Sequence, residues 1–305
     1  MIGSDFCYRA FGLNISSEIP LPELTETTFP LPDVSIRFGN IDSGWESSEE
    51  RGFFRAGPGK FELHIPNVAS YQVQCGQSIT IKASSGVDEE SIRLFLLGSC
   101  MGALLYQSGT LPLHASAVLI GTEGVLISGQ SGAGKSTIAF AFSSSGQSVL
   151  CDDVAALSIG TSLVVHPGLA RVKLWSDAVE RFEIPAQARS LVRPNLPDRY
   201  TIALESEARG SATTSTLYYI EPTASVDDVR VESITGVKAF QLLSRCIYRP
   251  QYANALIGEK SFFQSLADLA PRLSIYRVLR PQGAFDPFRV VEAIHRSIEC
   301  HRSIS

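Results

Sequence analysis

Several features are missing from these 305 residues, and each absence removes a class of function. There is no surplus of positive charge. The 26 Lys and Arg stand against 31 Asp and Glu, for a formal net charge of −5 and a pI near 5.6. The footprint expected of a nucleic-acid binder or of a protein on an anionic membrane is therefore lacking. The six cysteines (Cys7, Cys75, Cys100, Cys151, Cys246 and Cys300) form no C-x-x-C pair and have no histidine at metal spacing. They read as reduced, packed thiols of a cytosolic protein. The N-terminus, Met1 to Asp5, has no basic segment ahead of an apolar core, so no secretory signal is expected. The apolar run from Ile92 to Tyr106 is too short to span a bilayer, and Arg93 interrupts its start. It fits a buried helix inside an α/β domain, and the expected location is cytoplasmic. Internal repeats and low-complexity tracts are also absent.

What is present begins with strands. Phe61 to Ile65, Tyr71 to Cys75 and Ile79 to Ile81 alternate apolar and polar residues. Gly57-Pro58-Gly59, Pro66-Asn67 and Cys75-Gly76 punctuate them. Residues 1–86 therefore read as a small β-rich domain, antiparallel with one buried face. Acidic residues near Asp88 then open the apolar helix, where they complement its dipole. Residues 87–305 are expected to form the second domain. In it, Ala117–Ile120 and Val125–Ser128 read as two strands joined by a tight turn, and Ser148–Cys151 as another. Helices are expected at 236–245, 258–269 and 286–299, and an exposed polar loop at 205–216.

The chemistry is announced by Gly129-Gln130-Ser131-Gly132-Ala133-Gly134-Lys135-Ser136, followed by Thr137. This is the phosphate-binding pattern G-x-x-x-x-G-K-[ST], with the apolar strand VLIS running in and the helix former TIAFAF running out. Glycines let backbone N–H groups turn inward onto phosphate oxygens. The helix beyond Lys135 aims its positive end at the same anion. Lys135 supplies a full charge, and the Ser136 hydroxyl suits Mg²⁺. The expected ligand is ATP with Mg²⁺.

Shortly afterwards an apolar strand ends on Asp152-Asp153, a position that faces the nucleotide in such folds. Two adjacent carboxylates divide naturally into a metal partner and a base for the attacking hydroxyl. Ser136 and Asp153 are the expected metal pair, with the division between Asp152 and Asp153 left open. His114 precedes the strand that feeds the loop and is the third catalytic candidate beside Lys135. In RVKLW, Arg171 and Lys173 share one face with Trp175. They are candidate contacts to phosphate or an acidic substrate, against the alternative of solvated surface charge. Arg249 joins them as a further candidate.

LPLHASAVLIGTEGVLISGQSGAGKST (111–137) and SVLCDDVAAL (148–157) together resemble the catalytic domain of HPr kinase/phosphorylase. The resemblance implies an α/β P-loop domain with a mixed sheet, of the kind shared with phosphoenolpyruvate carboxykinases. It also implies that His114, Lys135, Asp152 and Asp153 surround the transferred phosphoryl group. The glycine-rich signature with a metal-binding glutamate that follows in true HPr kinases is missing, which argues against HPr as acceptor. PGLARVKLW (167–175), CIYRPQY (246–252) and AFGLNISSEIPLPEL (10–24) are closer to HPr-kinase-related proteins of peptide natural-product clusters. Members near lasso-peptide genes phosphorylate a serine of the precursor. The resemblance thus implies a serine kinase acting on a peptide or small protein. The P-loop half already accounts for the nucleotide, so the N-terminal unit is the expected grip on that substrate.

Two other readings keep the loop: a kinase for a small metabolite, and a nucleotide-binding sensor without transfer. An L-S-G-G-Q-like segment of a transporter ATPase and an N-K-x-D segment of a GTPase are both absent. The sequence leaves the oligomeric state open, a homo-oligomer included.

Overall fold

The computed structural model describes residues 5–41, 44, 49–51, 53–169, 171–192, 198–204 and 210–302. The chain divides into two compact units. The first comprises 1–112, 156–158 and 248–265, and the second 113–155, 159–247 and 266–305.

In the first unit a nine-stranded sheet runs in the order Thr25–Glu26, Phe6–Ala10, Leu13–Ser17, Val34–Phe38, Ser78–Ala83, Ala69–Gln74, Lys60–Ile65, Phe54–Gly57, Glu49–Arg51. The three strands read from alternation are there as Lys60–Ile65, Ala69–Gln74 and Ser78–Ala83, each starting a residue or two earlier than expected, and the second stopping one residue short, before Cys75. The sheet is not purely antiparallel, however: Leu13–Ser17 pairs parallel with Val34–Phe38, and Val34–Phe38 with Ser78–Ala83. The apolar helix also belongs to this unit, beyond the expected boundary at residue 86. Asp88 caps it by accepting from the Ser91 N–H at 2.7 Å. It runs as Glu89–Phe95, a π-helical Leu96–Cys100, and Met101–Gln107. The Tyr71 hydroxyl donates to Ile92 O at 3.0 Å and the Gln107 side chain accepts from the Gly76 N–H at 2.8 Å, so the helix lies on this sheet. Its interior character is real, but the interior it fills is that of the β-rich unit.

The second unit holds a mixed sheet. Ala115–Ile120 and Glu123–Gly129 form an antiparallel hairpin across Gly121-Thr122. Val149–Cys151 flanks Ala115–Ile120 on the outer side. Glu123–Gly129 runs parallel to the long Ala212–Thr223 strand, which runs parallel to Ser274–Pro281. Arg230–Ile234 closes that edge antiparallel. Of the loop expected at 205–216, residues 205–209 lie outside the described residues, and 212–216 are strand. Ala212 and Thr214 point inward there while Thr213 and Ser215 face out, so the small polar residues hide a half-buried alternation.

The helix Lys135–Ser144 follows Glu123–Gly129 and packs against Pro287–Arg302, with Ile138, Phe142, Val290 and Ile294 in a common core. A small antiparallel sheet, Arg171–Trp175, Arg199–Ala203 and Arg189–Leu191, lies against the same helix. The helices expected at 236–245, 258–269 and 286–299 are found as Gly236–Arg245, Glu259–Leu269 and Pro287–Arg302. Among the described residues no helix is long and apolar enough to cross a membrane.

Candidate active site

The glycine-rich loop turns between the end of a buried strand and the start of a helix. Gly129 closes the strand so near its parallel neighbour that a Cβ there would stand 2.6 Å from Ile220 O. Gly134 caps the helix at φ +98°, where a Cβ would also meet the Phe285 ring at 2.6 Å. Both demands are steric, set by groups that the fold brings up from Ile220 and Phe285, and this chain has no room for a side chain at either place. Lys135, 8% exposed, folds back over the loop and donates to Gly129 O at 2.9 Å and Gln130 O at 3.2 Å. Burial, eased by the nearby Asp152 and Asp153, holds its ammonium below the usual lysine range.

The two aspartates have opposite surroundings. Asp152 is 3% exposed. Its Oδ1 accepts from the Ser116 hydroxyl at 2.6 Å and the Ser136 hydroxyl at 3.0 Å, and its Oδ2 from the Lys173 N–H at 3.3 Å. Burial, followed by the charge of Asp153, still raises its carboxyl above the ordinary range. Asp153 leaves the strand at φ +71°, and the Val154 N–H closes back onto Asp152 O at 2.9 Å. A non-glycine residue in such a tight three-residue turn is strained, and the strain swings its side chain into the adjoining cavity. There Asp153 Oδ2 accepts from Lys173 Nζ at 3.1 Å, and Oδ1 lies 3.4 Å from His114 Nδ1. Burial pushes its carboxyl up, but the charge of Lys173 and its hydrogen bond work against that, and the carboxyl is held below the ordinary range.

His114 is fixed by its backbone: its N–H donates to Cys246 O at 2.6 Å and its carbonyl accepts from the Ser128 hydroxyl at 2.8 Å. Its ring Nδ1 lies 3.1 Å from Asp153 O, the distance of an N–H donating to that carbonyl. Burial and then Lys135 lower its pKa from 6.5, so the ring is neutral at pH 7.

His114, Lys135, Ser136, Asp153 and Lys173 line one cavity of about 420 Å³, together with Ser131, Gly132, Gly134, Thr137, Trp175, Asp177, Arg181, Arg199, Arg280, Gly283, Ala284 and Phe285. Five cations (Lys135, Lys173, Arg181, Arg199 and Arg280) face two carboxylates there, Asp153 and Asp177. Such a balance suits a multiply charged anion.

The structure thus gathers His114, Lys135, Ser136, Asp153 and Lys173 on one cavity, with Asp152 just behind it. It pairs Ser136 with Asp152, whereas the expected metal pair was Ser136 with Asp153. The reason is the turn at Asp153, which points the second carboxylate away from the helix start. Lys173 is not solvated surface charge, since its Nζ is engaged by Asp153. Arg171 lies on the same strand face, half-buried, and is not among the cavity residues. Arg249 belongs to the first unit, where its guanidinium lies over the rings of Tyr248 and Tyr252 at 5.4 and 5.3 Å.

Sequence reasoning missed Ser116, Arg181, Arg199, Arg280 and Phe285. Ser116 carried a faint signal, a hydroxyl amid the apolar run ASAVLI. The others carried none. Arg280, 4% exposed, donates to Ala133 O in the loop at 3.1 Å and stacks on the Phe285 ring at 3.8 Å. It buttresses the loop from the end of the Ser274–Pro281 strand.

No protein-family model matches this chain, and no curated protein matches it. Among solved structures it is similar to the Hpr(Ser) kinase/phosphatase from Coxiella burnetii. The two are 14% identical, with a TM-score of 0.31, over 63% of this chain and 93% of that one. The functional reading of this chain therefore rests on the cavity and its residues.

Proposed function

We propose that this protein is an ATP-dependent phosphotransferase that moves the γ-phosphoryl group onto a serine hydroxyl of a peptide, with a lasso-peptide precursor as the specific candidate. The observation that carries the reading is the split between Asp152, tied to Ser136 behind the loop, and Asp153, turned forward beside Lys173 and His114. A pure phosphate cradle has no use for the second carboxylate. A transferase needs it as a proton acceptor.

In this reading the loop amides and Lys135 hold the phosphates. The Ser136 hydroxyl and the Asp152 carboxylate fit Mg²⁺: both are oxygen donors 3.0 Å apart, and the carboxylate is buried against its own preference for water. When bound, that ion supplies charge neutralisation on the phosphate oxygens. Asp153, kept anionic by Lys173, takes the proton of the acceptor hydroxyl. The acceptor oxygen bonds to the γ-phosphorus as the bond to the bridging β,γ-oxygen breaks, and ADP leaves with that electron pair. The neutral His114 ring braces the Asp153 carbonyl and so fixes the turn. The β-rich first unit is the proposed grip on the peptide.

The test is direct. The protein is incubated with MgATP and the peptide encoded beside its gene, and the peptide is weighed. Gain of one phosphate, lost in Asp153→Asn, is the expected result. An unmodified precursor, with phosphate appearing on a different acceptor, sinks the substrate assignment. ATP hydrolysis with no acceptor modified, and equal in Asp153→Asn, sinks the transferase.

A further inference from the structure

We propose that Arg199 neutralises the phosphoryl group in flight and that the Trp175 ring is its resting place between turnovers; this rests on the phosphotransfer reading above. Trp175 and Arg199 are direct cross-strand partners in the small antiparallel sheet, so their side chains share a face. Both line the cavity, and the guanidinium sits 5.4 Å from the indole centroid. Lys173, two residues before Trp175 on that face, holds Asp153. Arg199 therefore lies one rung from the lysine that holds Asp153, near enough that its charge acts on both Asp153 and Lys135.

The other cations of the cavity are engaged. Lys173 is bonded to Asp153, Lys135 to two loop carbonyls, Arg181 to Phe285 O, and Arg280 to the carbonyls of Ala133, Pro281 and Gly283. Arg199 is held by a ring face, and among the described residues its buried Nε has no hydrogen-bond partner. A cation resting on an aromatic face gives up a soft, undirected contact when it leaves. A phosphoryl group offers it two parallel charge-assisted hydrogen bonds in return. Trp175 is 49% exposed, so the platform itself needs no rearrangement for the exchange.

The experiment uses the indole as its own reporter. The chain has two tryptophans, so Trp45→Phe leaves Trp175 alone. MgADP with fluoroaluminate, a mimic of the planar phosphoryl group, should change Trp175 emission relative to MgADP alone. That change should vanish in Arg199→Gln. In turnover Arg199→Gln should lower kcat by about 10²–10³-fold with KM for ATP near wild type. Arg199→Lys, which keeps the charge but lacks the fork, should recover little and serves as the second variant if Gln perturbs folding. An emission change that survives in both variants, or a kcat at wild-type level in either, overturns the proposal. Should the wild type transfer phosphate to nothing, the phosphotransfer reading falls alone. The emission change still decides whether Arg199 leaves Trp175 for a phosphoryl mimic.

Discussion

The two walls of the cavity are made in opposite ways. One is a single unbroken stretch, Gly129–Thr137, shaped by backbone geometry and glycine sterics. The other is side chains only: Lys173 and Trp175 from one strand, Arg199 from its neighbour, Arg181 from the following helix and Phe285 from far along the chain. Backbone amides recognise a phosphate whatever it is attached to. Side chains brought from separate strands can be aimed at one event, the transfer itself. Under the proposed phosphotransfer the first wall would hold the nucleotide and the second would carry the chemistry, with Asp153 standing between them.

Substitutions should separate the two walls. Lys135→Ala strikes the holding wall and should depress both ATP affinity and turnover, by at least about 10³-fold in kcat/KM, read from steady-state transfer. Asp153→Asn should cost about 10²–10⁴-fold in kcat while ATP binding, followed by calorimetry, stays close to wild type. If the Asn variant instead loses ATP, the division between walls is misplaced.

Stability should follow the same line. Gly134→Ala places a methyl at φ +98° and 2.6 Å from the Phe285 ring, and should destabilise by about 1–3 kcal/mol in thermal melts. Phe285→Ala in the same chain should relieve the clash but not the backbone strain. Asp152→Asn should melt no lower than wild type in EDTA, because burial works against the charged carboxylate there. The folded state binds that proton more tightly than the unfolded, so this group's contribution falls as pH rises above about 3.8. The Asn variant should lack that decline and should also need far more Mg²⁺ for turnover.

The smallest effect belongs to His114. Its folded pKa lies below the unfolded value of about 6.5, so the unfolded chain takes up the proton first as pH falls. Its stabilisation is complete above about pH 6.5 and is lost on acidification through the lowered folded value. Melts from pH 7.5 to 5 should show wild type losing ground against His114→Gln; parallel curves would remove His114 from the charge network.

Much of this site was legible in the sequence, because its signals are local. The loop, the strand before it and the helix after it are contiguous, and Asp152-Asp153 follow at a strand end. The helices near 236, 259 and 287 declare themselves by period. The boundary between units was not legible, because the Asp88-capped helix packs on strands that precede it by sequence yet looks like the opening of the next domain. Nor were the strand at Ala212–Ser215, whose small polar residues mask an alternation, and the engagement of Lys173, whose partner lies in the turn after another strand.

By itself, then, the sequence determined the phosphate cradle and the identity of the two carboxylates, since backbone turns and helix starts depend on neighbours in the chain. Tertiary structure decided which carboxylate meets Ser136, which one the turn at φ +71° throws forward, and which arginines arrive opposite them. The entropy of closing a loop changes only slowly with its length, so spacing along the chain carries almost no record of which strands will pair. That record is written in the packing, where Trp175 meets Arg199 and Arg280 meets the loop.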